Sequence, residues 1–300
     1  MRKEFFDALT QAAENDKNIF FITADLGFGF VEKFASEFPN QFMNIGVSEQ
    51  AMLGMSNGLA IGGKKVICYS IAAFSLLRPF EFFRNGAIAQ NSAVMVVGVG
   101  PGFDYSQDGL SHYCLEDLAM VQSQPNLKVK TPLKSKEVYF SVIEFSQNPV
   151  PTYLRLPRSS LDFSIENLQE INEKSCDVFI LTTTLMQERS KYIEKQLMGQ
   201  SLTTKLSYIS EISSEVDQIL IKQLKTSKCI VVVEDHYEFG GLGTRVAMLM
   251  TQYSINSKLV IDAVVKLPTG SIGSFSFMTE KLMKNKNQVI NEIISLVNDK

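Results

Sequence analysis

The chain contains no tryptophan and only two histidines, and its four cysteines include no CxxC pair. Cys68, Cys114, Cys176 and Cys229 each lie in or beside an apolar run, which predicts buried thiols of a reducing compartment rather than disulfides or zinc ligands. Basic charge is not in excess either. Twenty-nine Lys and Arg against 32 Asp and Glu leave a net charge of −3, which offers no electrostatic attraction for nucleic acid or an anionic membrane. No apolar run approaches the length of a membrane span. The opening MRKEFFDALTQAAEN reads as an amphipathic helix and lacks the apolar core of a signal peptide, so a cytoplasmic location is expected. Low-complexity tracts and short-period repeats are missing as well.

What is present is ordinary globular material, 45% hydrophobic and 20% charged, over 300 residues, more than one core usually needs. Short apolar runs at 18–23, 42–45, 66–70, 93–98, 127–130 and 152–156 read as strands. Helical patterns lie between them at 31–36, 44–63, 82–90 and 135–145. The run AVMVVG at 93–98 is uninterrupted, as a strand covered on both faces requires. After a polar stretch, strands at 178–182, 206–209, 230–234 and 259–265 alternate with helices at 189–198, 242–253 and 285–298. The pattern predicts an α/β protein of two domains, each a mainly parallel sheet flanked by helices. The expected boundaries are 1–160 and 175–300, with 161–174 as linker.

The stretch that organises the chain is NIGVSEQAMLGMSNGLAIGG, from Asn44 to Gly63. It sets Glu49 at the start of an almost uncharged helix, with Ser48 placed as N-cap and Met52, Leu53, Leu59 and Ile61 as apolar surface. Gly54 and Gly58, four apart, leave one face bare enough for another backbone to approach. A carboxylate there loses solvation and needs a partner to compensate its charge. Asp25, Glu49, the loop holding Asp108 and His112, and Arg155 all follow predicted strands, where open α/β sheets bind ligands. The loop 99–114 is long for a compact domain, which usually marks function. His112 within it could relay a proton to a bound oxygen.

These residues resemble a family. NIGVSEQ with its Gly-rich helix is similar to the motif around the cofactor-activating glutamate of transketolases. Gln107-Asp108-Gly109-Leu110-Ser111-His112 resembles that family's substrate loop, and LEDLAMVQSQPNLKVKTP (115–132) the helix and strand after it. EDHYEFGGLG (234–243) is similar to the signature of the family's C-terminal domain. The resemblance spans nearly the whole chain, with its motifs in order. The family's diphosphate- and magnesium-binding domain, with its Gly-Asp-Gly and paired asparagines, has no counterpart here. The chain therefore resembles the pyrimidine-binding and C-terminal domains of a transketolase encoded as a separate subunit.

That resemblance implies thiamine diphosphate as cofactor, with Glu49 as the carboxylate that activates it through the aminopyrimidine ring. It implies Ile71 and Phe74 as walls of that ring, Asp25 as a neighbour of the cofactor, and His112 and Asp108 as contacts to the sugar donor. Mg2+ is expected to take its ligands from a partner subunit carrying the missing domain, in an α2β2 heterotetramer with a homodimeric core. Two departures bear on the substrate. Gly100 stands where the family has a phosphate-contacting histidine, and Gly29 where it has a phosphate-holding serine. Arg158 and Arg155 are competing candidates for the remaining phosphate contact. The expected activity is transfer of a two-carbon ketol or acyl unit to an aldehyde or ketone sugar, unphosphorylated or nucleotide-linked. A 2-oxoacid dehydrogenase β subunit and a non-catalytic transketolase-like partner are the alternatives. DGLSHYCLEDLAM fits the transketolase pattern better than the first, and Glu49 and His112 argue against the second.

Overall fold

The strand β4 (Val94–Val99) is buried at every position. Its unbroken apolar sequence leaves no face for water, so it takes the middle of a sheet. The computed structural model describes residues 1–158, 164–170 and 175–298. It divides into two units, one holding residues 1–105 and 111–158, the other holding 106–110 and the described residues from 164 onward.

In the first unit, β1 (Ile19–Thr23), β2 (Phe42–Asn44), β3 (Lys65–Ile71), β5 (Lys128–Lys130) and β6 (Thr152–Leu156) join β4. Their order is β5-β6-β4-β3-β1-β2, and every pair is parallel. Helix α1 (Arg2–Asn15) buries Phe5, Phe6, Ala8 and Leu9 against this sheet. The ring of Phe5 stacks on Tyr69 of β3 at 5.1 Å, and Phe6 meets Phe21 of β1 edge-on at 5.8 Å. Phe34 of α2 (Val31–Glu37) also meets Phe21 edge-on, at 5.4 Å. Fully burying each such side chain contributes roughly 1.5–3 kcal/mol, so this aromatic cluster fixes both helices on the sheet.

The second unit repeats the plan. The strands Lys258–Val264, Ser227–Tyr237, β8 (Cys176–Thr182), β9 (Thr204–Tyr208) and β7 (Glu166–Asn167) lie side by side in that order, all parallel. Strand β7 falls inside the stretch expected as linker, and it pairs with β9 as an edge strand. Of that stretch, 161–163 and 171–174 lie outside the described residues. Two helices absent from the pattern expected on sequence, Ser214–Lys225 and Phe275–Leu282, are present. Each begins with a serine side chain accepting a backbone N–H, Ser213 from Val216 and Ser274 from Phe277.

All four cysteines are free, and burial pushes the thiols of Cys68 and Cys229 up to about 12. Among the described residues no helix is long and apolar enough to cross a membrane.

Candidate functional site

Asn44 closes β2 and braces the loops on either side of it. Its side-chain oxygen accepts the backbone N–H of Asp25 and of Gly46, each at 3.0 Å, and its Nδ2 donates to Asp25 Oδ1 at 3.3 Å. Both linked residues have left-handed backbones, φ 53° at Asp25 and 72° at Gly46. Asn44 thus ties the loop leaving β1 to the turn entering α3 (Glu49–Ile61).

Glu49 heads that helix with 1% of its surface exposed. Ser48 stands at the N-cap, but its side chain makes no capping bond, contrary to the expectation from sequence. Glu49 Oε2 accepts from Arg78 Nη1 at 2.7 Å. The arginine is 46% exposed, so the pair is half in water. Its contribution is therefore nearer the ~1 kcal/mol of a surface pair than the ~3–5 kcal/mol lost when a buried pair is broken. Glu49 Oε1 makes no hydrogen bond among the described residues. Among the described residues, no backbone other than the helix's own lies within 4 Å of a Cβ built at either glycine of α3. Gly54 has only the Phe82 ring, at 3.7 Å, and Gly58 has nothing within 4 Å.

Arg78 is delivered by unusual backbone. The expected helix at 82–90 is present, entered through Phe80–Phe82 and wound in wide turns over Phe83–Ile88. A second wide-turned segment, Ala73–Leu77, precedes it, and Arg78 and Pro79 lie between that segment and Phe80. Wide turns leave a carbonyl without its helical partner, and Asn57 of α3 donates to Phe82 O at 2.9 Å. The same side chain fills the space beside Gly86, where a Cβ would lie 1.8 Å from Asn57 Nδ2.

From Glu49 a row of rings and guanidinium groups runs along the carboxyl ends of the strands. Arg78 lies over the Phe74 ring at 4.8 Å, and Phe74 meets His112 edge-on at 5.1 Å. His112 lies 6.0 Å from Tyr105, whose ring covers the Arg158 guanidinium at 4.4 Å. Ser111 Oγ is 3.0 Å from His112 Nδ1 and sets the ring's orientation. Ile71 ends β3, half-buried.

The two competing arginines part company here. Arg155 is 2% exposed, and its Nε donates to Asp117 Oδ2 at 2.7 Å, an oxygen that also accepts from Tyr153 Oη. A guanidinium held this way is an internal charge pair, whereas Arg158 is exposed. Asp108 is exposed too, on the segment 106–110 that groups with the second unit.

Sequence reasoning missed Asn44, Arg78 and Tyr105. Only Asn44 carried a signal, lying inside the NIGVSEQ motif. Among the described residues no group of three or more His, Cys, Asp or Glu side chains is arranged to hold a metal ion.

Comparison with known proteins gives this geometry a setting. The family model "Transketolase, pyrimidine binding domain" matches residues 1–163. A Methanocaldococcus jannaschii protein named as a putative transketolase C-terminal section is 31% identical over 273 residues, 87% of this chain and 84% of its own. A subunit of the apulose-4-phosphate transketolase of Phocaeicola vulgatus is 27% identical across 86% of each chain. A solved structure described as a split gene transketolase, inactive beta4 tetramer, has a TM-score of 0.80 at 23% identity. It covers 99% of this chain and 97% of its own, a likeness of fold.

Proposed function

The chain belongs to the transketolase family, and we propose that it is the pyrimidine-binding subunit of a two-component, thiamine diphosphate-dependent transketolase. Its reaction would transfer a two-carbon ketol or acyl unit to an aldehyde or ketone sugar. The observation that carries this reading is Glu49, a carboxylate removed from water at the head of α3, held by Arg78 through one oxygen.

The residues present fit the pyrimidine half of the cofactor. Glu49 Oε1 accepts no hydrogen bond among the described residues, and Phe74, under Arg78, with Ile71 at the end of β3 would provide aromatic and aliphatic wall for the ring. When bound, thiamine diphosphate supplies an activated carbon nucleophile that water alone would not generate at neutral pH. Glu49 would exchange a proton with the pyrimidine nitrogen, and Arg78 would keep the carboxylate oriented between turnovers. Asn44 would hold Asp25 and the turn before α3 in place. His112, set by Ser111, would donate to or relay protons with the carbonyl and hydroxyl oxygens of the donor, with Asp108 as a second contact. Arg158 rather than Arg155 would meet the substrate, because Arg155 is committed to Asp117.

For the magnesium and diphosphate half, no group of three or more His, Cys, Asp or Glu side chains among the described residues is arranged to hold a metal ion. Those groups would come from a partner subunit, in an α2β2 heterotetramer of the cytoplasm. Relatives named as a transketolase subunit or a C-terminal section, and the inactive tetramer of a split transketolase, support that division.

Replacing Glu49 by Gln in the complex with the diphosphate-binding subunit tests the reading. Glutamine keeps size but cannot exchange the proton, so kcat should fall on the order of 10²-fold or more. Turnover near wild type would remove Glu49 from the role given to it.

A further inference from the structure

Gly100 follows β4 with φ +66°, and a Cβ there would lie 2.2 Å from Tyr105 Cε2, 2.4 Å from Cδ2 and 3.4 Å from Arg158 Cδ. A side chain at position 100 and the ring of Tyr105 therefore exclude each other in a packed site. The ring takes the place. It stands at the far end of the row that begins at Glu49, between His112 at 6.0 Å and the Arg158 guanidinium at 4.4 Å.

Its presence changes what Arg158 can bind. Phosphate is gripped by the edge of a guanidinium, with two parallel N–H donors and further positive charge nearby. Here Nη1 already donates to Asp104 O at 3.2 Å, and the flat face lies under Tyr105. The Asp104 carboxylate accepts the Arg158 backbone N–H at 2.6 Å, which sets a negative charge beside the arginine. A phosphate dianion approaching this corner meets a partly engaged cation and an opposing carboxylate. An uncharged sugar meets an apolar ring for its C–H face and polar neighbours for its hydroxyls.

We infer that Tyr105 selects the acceptor, an unphosphorylated sugar aldehyde received on its ring where a phosphate grip would otherwise be built. The inference rests on the two-carbon transfer proposed above.

The test uses the complex with the diphosphate-binding subunit and hydroxypyruvate as donor probe. The C1–C2 bond of hydroxypyruvate breaks to release CO2, and the remaining two carbons form a C–C bond to the aldehyde carbon of the acceptor, whose oxygen takes up one proton. D-glyceraldehyde and D-glyceraldehyde 3-phosphate are the acceptor probes, differing by one phosphate. The wild-type complex should show the higher kcat/KM with D-glyceraldehyde. Tyr105→Ala should lower that value about tenfold, through KM rather than kcat, and Tyr105→Phe should restore it. Gly100→His combined with Tyr105→Ala should move the preference toward the phosphate ester, since histidine tolerates a left-handed backbone better than most residues. A wild-type preference for the phosphate ester, or a Tyr105→Ala loss that falls on kcat and equally on both acceptors, overturns the inference and leaves two-carbon transfer standing. Absence of turnover with either acceptor contradicts the transfer itself, and the inference falls with it.

Discussion

Two arginines three residues apart show how burial decides what a charge can do. Arg155 is enclosed with Asp117 and Tyr153, and its partner carboxylate has no exposure of its own. Removing one member of such a pair strands the other, at a cost of about 3–5 kcal/mol. Arg155→Met should therefore lower the urea midpoint substantially or prevent recovery of folded protein. Arg158→Met, at an exposed site, should change stability by only about 0.5 kcal/mol. Its effect should appear in the KM for acceptor. Equal urea midpoints for the two variants would contradict the assignment of Arg155 to the interior. Sequence alone did not separate them: Arg155 lies inside β6 and Arg158 just past its end, and the difference in role lies in Asp117, 38 residues from Arg155. Arg78 was illegible for the same reason, since it reaches Glu49 across 29 residues. Tyr105 became visible only once Gly100 was seen to lack room for a side chain.

At the scale of elements, the strands and the helix at 82–90 were easy to read, and the widening of that helix's turns was not. Runs such as VMVVGV admit one environment, buried on both faces, and they form the sheet interiors. The wide turns at Phe83–Ile88 carry no periodic signature of their own, and Asn57 of α3 reaches over to the carbonyl of Phe82 just before them. The helix Ser214–Lys225 was legible in principle, with a serine cap, acidic first turn and basic last turn, although the expected alternation did not include it. One contact between elements makes a pH prediction. At the start of β8, Asp177 takes the Lys228 ammonium at 2.7 Å and the backbone N–H and hydroxyl of Thr203 at 2.9 and 2.6 Å. Lys228, followed by Thr203, holds its carboxyl down at about 2, from an ordinary 3.8. A depressed folded value means the stabilisation is fully present above the unfolded value near 4 and disappears as pH falls toward 2. Asp177→Asn should therefore be less stable than wild type at pH 7, and the gap should close in acid. Parallel stability curves down to pH 2 would contradict this.

For the whole molecule, the proposed chemistry outruns what the chain contains. The described residues supply a carboxylate, a ring wall and a histidine, but no group of ligands for a metal ion. The first unit also presents exposed apolar side chains near the head of α3 and along it, Val47, Met55 and Ile61, together with the open space at Gly58. Apolar surface of this kind beside a site suits an obligate subunit interface, which buries more and drier area than a transient one. The paired domains were legible from the alternation of strands and helices. Dependence on a partner is the proposal that the motif resemblance suggested. It is also the central claim, and calorimetry on the purified chain tests it most directly. Titrated with thiamine diphosphate and Mg2+ alone, the chain should show no micromolar binding and no turnover, and both should appear once the diphosphate-binding subunit is added. Micromolar binding accompanied by turnover in the chain by itself would contradict the account.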